Sequence, residues 1–369
     1  MKRLAQALVL VVMFALPGVT AQADPPPGAT GPIIAHELTA LAWDGKEFIA
    51  SYGENKSALL NVSLAGQRVI PFARNFSATK EAYVAISQGD AGFPKGYVYV
   101  SADLSIFEFT PTGSSWRVFS SPPGASRISY LAFDTVGTWG HLLFALDDNG
   151  LLWSINADGT AKVLENFSNF GQGQALKPEG IVVAPQSFGA FGGQLIITLQ
   201  AATRVLAIPP NDTSKVVTIA QLPGEEPESV LAIPPNSDLY VAAWVNGTAY
   251  RMPAADLLRY VGSLIVVTEG ELEPFSSFTI LQATGDNVTK TRIATVSGSP
   301  HLEGASFVPS SLDSTTLIGT AINNPTPAVP NIEVTATVIG LMLGLAAVVI
   351  LATILKLKRG RSSIGENGR

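Results

Sequence analysis

A glutamate recurs at the start of short apolar segments and is the residue with the clearest chemical potential in this sequence. The five positions are Glu37, Glu81, Glu179, Glu228 and Glu303. Carboxylates gathered with backbone oxygens suit a hard cation such as Ca²⁺. The sequence therefore predicts a Ca²⁺-type metal site if the five segments converge, and it requires no other cofactor. In the alternative interpretation, each glutamate caps a turn and faces solvent.

The chain has three histidines, at His36, His141 and His301. His36 and His301 each lie one or two residues before a recurring glutamate, in the first and last segments. If those segments are neighbours, the pair could act as a base or as metal ligands; isolated surface histidines are the alternative. There is no cysteine and no G-x-S-x-G, H-E-x-x-H, P-loop or G-x-G-x-x-G motif. Catalytic residues therefore stay unassigned, and a non-enzymatic role is favoured.

The apolar segments repeat at intervals typical of one class of β-rich fold. Counting Ile128 as the start of a sixth segment without the glutamate, the spacings are 44, 47, 51, 49 and 75 residues. The unit that begins there continues as three more short strands joined by Asp147-Asp-Asn-Gly150 and Asp158-Gly159 turns. Four strands in about 45 residues are typical of a propeller blade. The fold predicted is an all-β propeller of six blades, with five or seven as alternatives.

The longest interval, from Glu228 to Glu303, holds either one unit with an insertion or two compressed units. The part that departs most from the repeat is 253–301. Its first residues, 253–260, predict a short helix between strands.

Two runs of the sequence resemble blades of the NHL and SMP-30 (gluconolactonase)-like propellers. They are GHLLFALDDNGLLWSINADGTAKVLENF and PEGIVVAP with its continuation GGQLIITLQAATRVLAIPP. The resemblance covers about 125–235 and concerns the fold. SMP-30-like hydrolases hold a divalent cation on the axis with Glu, Asn and Asp, and only the glutamate has matching positions in this sequence. The resemblance therefore implies an acidic tunnel mouth and, as an alternative function, a metal-dependent hydrolase or lactonase.

Both ends of the chain carry membrane-targeting patterns. Residues 1–23 have the basic start, apolar stretch and Ala-Gln-Ala site of a cleaved signal peptide, or of an uncleaved anchor in the alternative interpretation. An extended arm (24–35), the propeller (36–322) and a Pro-rich stalk (323–333) follow.

Residues 334–355 contain no charge and are long enough for a transmembrane helix, and the basic tail 356–369 after them predicts a cytoplasmic C-terminus. Small residues repeat every four positions in this helix and predict a homodimer contact. They are Ala336, Gly340 and Gly344.

Seven N-x-S/T sequons predict a glycoprotein if the host glycosylates. They are at Asn55, Asn61, Asn75, Asn166, Asn211, Asn246 and Asn287.

Between positions 4 and 355 there are 16 basic and 28 acidic residues, a net charge of −12. Such a chain lacks the basic face that nucleic acid binding needs.

The function predicted from these patterns is that of a single-pass cell-membrane protein with an extracellular propeller. It would serve as a binding or scaffold surface for an extracellular protein or glycan. An envelope lattice subunit is a further alternative.

Overall fold

The computed structural model describes residues 34–53, 57–171, 176–271 and 273–310. The predicted signal peptide, most of the arm, the stalk, the transmembrane helix with its dimer contact and the tail lie outside these ranges. Within them, no helix has the length and apolar character needed to cross a membrane.

The described chain forms 23 β-strands in six antiparallel sheets, which confirms the prediction of a six-bladed all-β propeller. Four blades are built from consecutive strands. The first contains β1 (Leu38–Trp43), β2 (Phe48–Tyr52), β3 (Ala58–Val62) and β4 (Val69–Pro71). The second contains β5 (Val84–Ile86), β6 (Val98–Ala102), β7 (Ser105–Phe109) and β8 (Trp116–Ser120). The third contains β9 (Ile128–Phe133), β10 (Leu143–Asp147), β11 (Leu151–Ile155) and β12 (Ala161–Asn166). The fourth contains β13 (Pro178–Val183), β14 (Leu195–Leu199), β15 (Arg204–Ile208) and β16 (Val217–Gln221).

The fifth and sixth blades are interlaced along the chain, which explains the long last interval of the repeat. The fifth blade contains β17 (Pro227–Ala232), β20 (Leu264–Thr268), β21 (Phe275–Thr284) and β22 (Asn287–Ser297), in that order from the axis. The sixth contains β23 (Leu302–Pro309), β18 (Ser237–Ala243) and β19 (Thr248–Met252). The interval therefore holds parts of two blades.

The ring closes through the innermost strands, which contact one another in the order β1, β5, β9, β13, β17, β23 and β1 again. At the closure, the backbone N–H groups of Ile34 and Ala35 donate to the Gly247 carbonyl at 2.6 and 3.2 Å. Gly247 adopts a positive φ of 63°, and an added Cβ would lie 2.4 Å from the Ala35 oxygen. A glycine is needed where the two ends of the ring approach this closely.

The short helix predicted between strands is present as α1 (Ala254–Leu257), which continues into a 3-10 helix (Leu258–Tyr260). It connects β19 of the sixth blade to β20 of the fifth. Two other 3-10 helices span Phe167–Gly171 and Gly189–Phe191.

The core lies between the faces of neighbouring blades. All five residues of β14 (LIITL) are buried because this strand has a blade on each side. The outer strand β8 exposes its first three residues and buries its last two. Large buried side chains such as Trp153, Tyr99 and Phe144 fill the spaces between blades. This packing holds the inner strands, and so their N-terminal ends, in fixed positions around the axis.

Candidate functional site

Irregular strand register directs three glutamates toward the axis. Inner strands β13, β17 and β23 each break register near their first residues, and Glu179, Glu228 and Glu303 lie at these breaks. A β-bulge re-aims a side chain that would otherwise follow the alternation of the strand. In the first and third blades the corresponding breaks carry Thr39 and Ser129. The carboxylates therefore come from three consecutive blades on one side of the ring.

The glutamates line a cavity of about 380 Å³ at one mouth of the central tunnel. Seven of the lining residues are acidic and three are basic. The acidic ones are Glu81, Asp148, Glu179, Glu228, Glu269, Glu271 and Glu303; the basic ones are Lys80, Arg127 and Lys177; Tyr83 and Gln200 complete the lining. With all of these groups ionised, the cavity would carry a net charge of −4. We call this cavity the acidic mouth.

A hydrogen-bond network joins the deepest side chains of the acidic mouth. The Tyr83 hydroxyl donates to Glu228 Oε1 at 3.0 Å and lies 3.4 Å from Glu303 Oε2. The amide of Gln200 donates to Glu228 Oε2 at 3.4 Å and to Glu269 Oε2. The Tyr83 hydroxyl therefore lies between the carboxyl groups of Glu228 and Glu303.

Glu179 is a buried glutamate of the acidic mouth with an unused oxygen. The residue is 5% exposed, and its Oε2 atom is buried with no hydrogen-bond partner. Its Oε1 atom lies 3.6 Å from the Arg127 guanidinium, which also pairs with Glu81 at 2.8 Å and Asp148 at 3.0 Å. A buried carboxylate oxygen without a partner loses its hydration without compensation.

Burial raises the pKa of the carboxyls in this cluster. Desolvation raises the pKa of Glu179, Glu228 and Glu303 well above the usual value for glutamate, and repulsion by the neighbouring carboxylates adds to it. Arg127 partly opposes the shift at Glu179. Burial, then repulsion by Glu271, raises the pKa of Glu269 to about 8. Each of these carboxyls therefore holds its proton to a higher pH than an exposed glutamate does.

The structure brings together four of the five recurring glutamates. Glu81, Glu179, Glu228 and Glu303 line the acidic mouth, whereas Glu37 is not among its described lining residues. Glu37 lies two residues before the register break of its strand and has a positive φ of 59°. It occupies the position that Lys177 occupies in the fourth blade, outside the bulge that turns side chains inward.

The three histidines have separate surroundings. His36 is exposed, and His141 lies beside Asp134 with its Nδ1 atom 3.0 Å from the Asp134 carbonyl oxygen. His301 is half-buried next to the acidic mouth, with Nδ1 3.8 Å from Glu269 Oε1. The first and last segments are neighbours as expected, but only the second histidine of the predicted pair joins the carboxylates.

The recurring-glutamate pattern does not identify every residue of the acidic mouth. Glu269 and Glu271 follow β20, the second strand of its blade, and so do not belong to the recurring pattern. The run Thr268-Glu-Gly-Glu271 after a buried strand is the signal that could have indicated them. Tyr83 and Gln200 have no distinguishing pattern. Arg127 directly precedes Ile128, which begins the one repeat segment without a glutamate. The missing glutamate is the feature of the sequence that could have drawn attention to Arg127.

The opposite mouth of the tunnel is apolar. Its cavity of about 700 Å³ is lined by the other ends of the inner strands, with Phe133, Ile181 and Ile233 among the lining residues. The recurring glutamates therefore mark one end of the tunnel only.

The predicted glycosylation sites fall mainly on exposed turns and strand ends. Five of the six described sequon asparagines are exposed, namely Asn75, Asn166, Asn211, Asn246 and Asn287. Asn61 is half-buried in strand β3, and Asn55 lies outside the described residues.

Comparison with known proteins supports the fold. No protein-family profile and no curated protein matches the chain. A chain of the Nidogen/Laminin complex is similar over 74% of this chain and 85% of its own length, with 14% identity and a TM-score of 0.50. A streptogramin B lyase is similar over 76% of this chain and 96% of its own length, with 11% identity. Its TM-score of 0.40 is too low to support an argument. The described part of the chain is a six-bladed β-propeller, and its similarity to known proteins extends to that fold.

Proposed function

We propose that this protein is a membrane-anchored surface protein whose extracellular propeller is a binding module that depends on a divalent cation. The sequence supports the location: a signal peptide at 1–23, a charge-free span at 334–355 and a basic tail agree on one orientation. The exposed sequons fit an extracellular, glycosylated surface. The ligand class that follows from the predicted location is an extracellular protein or glycan.

The unused Oε2 atom of Glu179 is the observation that carries the cation site. It is buried, and Glu179 lines the acidic mouth together with Glu228 and Glu303, so three buried carboxyl groups from three blades line one cavity. Isolated buried charges are strongly unfavourable, and a bound cation removes the penalty by giving each oxygen a partner.

The donor set favours a hard cation such as Ca²⁺. The candidate donors are oxygen atoms of Glu179, Glu228 and Glu303, which line one cavity together with the Tyr83 hydroxyl. Their oxygen atoms do not all lie within 4.8 Å of one another, so the side chains must draw together around an ion. Ca²⁺ takes six to eight oxygen ligands in flexible geometry, and waters within the cavity would complete its shell. A cation in this position would join the inner strands of the fourth, fifth and sixth blades and stiffen the mouth.

Calcium titration of the full chain, purified in detergent micelles, tests this function. We expect Ca²⁺ to raise the melting temperature and to bind with one ion per chain in calorimetry. Glu179→Gln and Glu228→Gln should each abolish both effects, because the amide that replaces the carboxylate carries no charge. Glu165→Gln, on the outer strand β12, is the matched control and should behave like the wild type. Absence of Ca²⁺ binding by the wild-type chain at millimolar concentration would refute the cation site.

A further inference from the structure

A second group of metal-ligand side chains lies beside the acidic mouth, between the fifth and sixth blades. It consists of Glu269, Glu271 and His301. One ligand atom from each of these residues lies within 4.8 Å of the other two. Glu269 is buried, His301 is half-buried and Glu271 is exposed. This group includes an imidazole nitrogen, whereas Glu179, Glu228 and Glu303 at the tunnel axis offer only oxygen atoms.

The backbone fixes the positions of two of these residues. Glu269 directly follows β20, and its carbonyl accepts from the Leu302 N–H at 3.2 Å. The His301 carbonyl accepts from the Trp244 N–H at 2.9 Å. These hydrogen bonds tie the residue after β20 to the residues that begin β23, so the interlaced connection of the two blades creates the juxtaposition.

Neighbouring groups hold the side chains of Glu269 and His301 in place. Gln200 donates to Oε2 of Glu269, and the other oxygen, Oε1, lies 3.8 Å from His301 Nδ1. The Trp244 ring stacks on the His301 ring at 5.7 Å between centroids, with an interplanar angle of 25°. Outer partners of this kind commonly fix the orientation of metal ligands.

The spacing fits a metal ion better than a direct hydrogen bond. At 3.8 Å, the Nδ1 and Oε1 atoms are too far apart for a hydrogen bond. Zinc binds nitrogen and oxygen ligands at about 2.0–2.2 Å, which puts two ligands of a tetrahedral ion about 3.4 Å apart. A shift of a few tenths of an ångström at His301 or Glu269 brings this pair to that separation, and the exposed Glu271 carboxylate then approaches as the third ligand.

We propose that Glu269, Glu271 and His301 form a second metal site, which binds a transition metal ion such as Zn²⁺ and is distinct from the axial calcium site. An imidazole with two carboxylates favours Zn²⁺ over Ca²⁺, which takes oxygen ligands. Lys177, whose Nζ atom lies 3.9 Å from Glu271 Oε2, is the cation that the metal would replace. Three protein ligands leave a coordination position for water or for a donor atom of a bound partner.

Zinc titration of the full chain in detergent micelles, purified without a polyhistidine tag and saturated with Ca²⁺, tests the second site. The chain has three histidines and no cysteine, so it offers few competing ligands. We expect one Zn²⁺ per chain for the wild type and for the controls His36→Gln and His141→Gln. His301→Gln should weaken Zn²⁺ binding more than 100-fold and leave Ca²⁺ binding unchanged. Co²⁺ in place of Zn²⁺ should give a visible absorption band that His301→Gln removes.

Two results would overturn this proposal: no Zn²⁺ binding by the wild type, or equal affinity in His301→Gln and the wild type. The experiment can reject the zinc site without rejecting the calcium site, and the reverse, because the two proposed sites use different ligands. Glu179→Gln should retain Zn²⁺ binding although it loses Ca²⁺ binding. A thermal melt of each variant without metal ions checks that the substitution has preserved the fold.

Discussion

The hydroxyl of Tyr83 donates a 3.0 Å hydrogen bond to Oε1 of Glu228, which links the second blade to the fifth across the tunnel. Tyr83→Phe removes this donor and leaves a buried carboxyl with one partner fewer. We expect a loss of about 1–2 kcal/mol in the free energy of unfolding without divalent cations. Urea unfolding followed by tryptophan fluorescence measures it. Tyr97→Phe, outside the acidic mouth, is the control, and equal stability of the two variants would show that the bond contributes nothing.

The stability of the cation-free protein should decrease as the pH rises. The pKa values of Glu179, Glu228 and Glu303 lie well above 4.5 in the folded protein, and that of Glu269 is raised to about 8. The folded state therefore retains protons that the unfolded chain has released. This contribution is fully present below about pH 4.5 and is lost as the pH rises through the raised pKa values, of which that of Glu269 is about 8.

Melting temperatures measured in a chelator between pH 4.5 and 9 test this dependence. We expect a decline across the range, a shallower decline in Glu228→Gln, and a much flatter profile with saturating Ca²⁺, because the cation replaces the protons. A cation-free profile that rises steadily with pH would contradict the assignment of raised pKa values.

Arg127 is the main compensating charge on one side of the acidic mouth. Its guanidinium contacts Glu81, Asp148 and Glu179, and its side chain is 20% exposed. Arg127→Met should lower the free energy of unfolding at pH 8 by about 2–3 kcal/mol, less than for a fully buried ion pair because of this exposure. Chemical unfolding with and without Ca²⁺ measures the loss. Ca²⁺ should restore part of it, whereas Arg117→Met removes an arginine that is 66% exposed and pairs with Glu108 outside the acidic mouth, so it should cost less and should not respond to Ca²⁺.

Gly180 allows the inner strands of the fourth and fifth blades to approach closely. An added Cβ would lie 2.6 Å from Thr198 Oγ1 and 2.8 Å from the Glu228 carbonyl oxygen. Gly180→Ala should therefore lower the free energy of unfolding by about 1–3 kcal/mol and weaken Ca²⁺ binding by displacing Glu228. Gly45→Ala is the comparison that isolates backbone strain from steric contact. No atom lies within 4 Å of its added Cβ, whereas its φ of 98° is unfavourable for alanine. If Gly180→Ala loses stability without any change in Ca²⁺ affinity, the packing is not coupled to the site.

Glycosylation should follow exposure among the described sequons. In a glycosylating host we expect glycans at exposed positions such as Asn75, Asn211 and Asn287, and a much lower occupancy at Asn61. Asn61 lies in the middle of the first blade, where Ile49 and Ile70 flank it on the two neighbouring strands. Peptide mass spectrometry with and without glycosidase treatment gives the occupancy of each site. High occupancy at Asn61 would indicate that the sequon is modified before strand β3 pairs.

The blade repeat was readable in the sequence because strands and turns depend on local residues. The third blade shows this best: its strands β10 to β12 and the turns at Gly150 and Gly159 match the predicted pattern, and both glycines have positive φ. Alternating apolar segments and Asp-Gly or Asn-Gly turns specify such hairpins within about ten residues. The interlacing of the fifth and sixth blades could not be read in this way, because the choice of partner for β18 and β20 depends on contacts between distant segments.

The sequence by itself determined the composition of the site in outline: recurring glutamates at the start of inner strands, in a chain with an acidic net charge and no cysteine. The tertiary structure decided which of them converge. Register breaks direct Glu179, Glu228 and Glu303 inward and leave Glu37 two residues away from its own break. The tertiary structure also brings Glu269, which follows β20, into the acidic mouth and beside His301. The physical reason is that a one-residue change of register reverses the face of a strand to which a side chain points, and register is set by pairing across the whole ring.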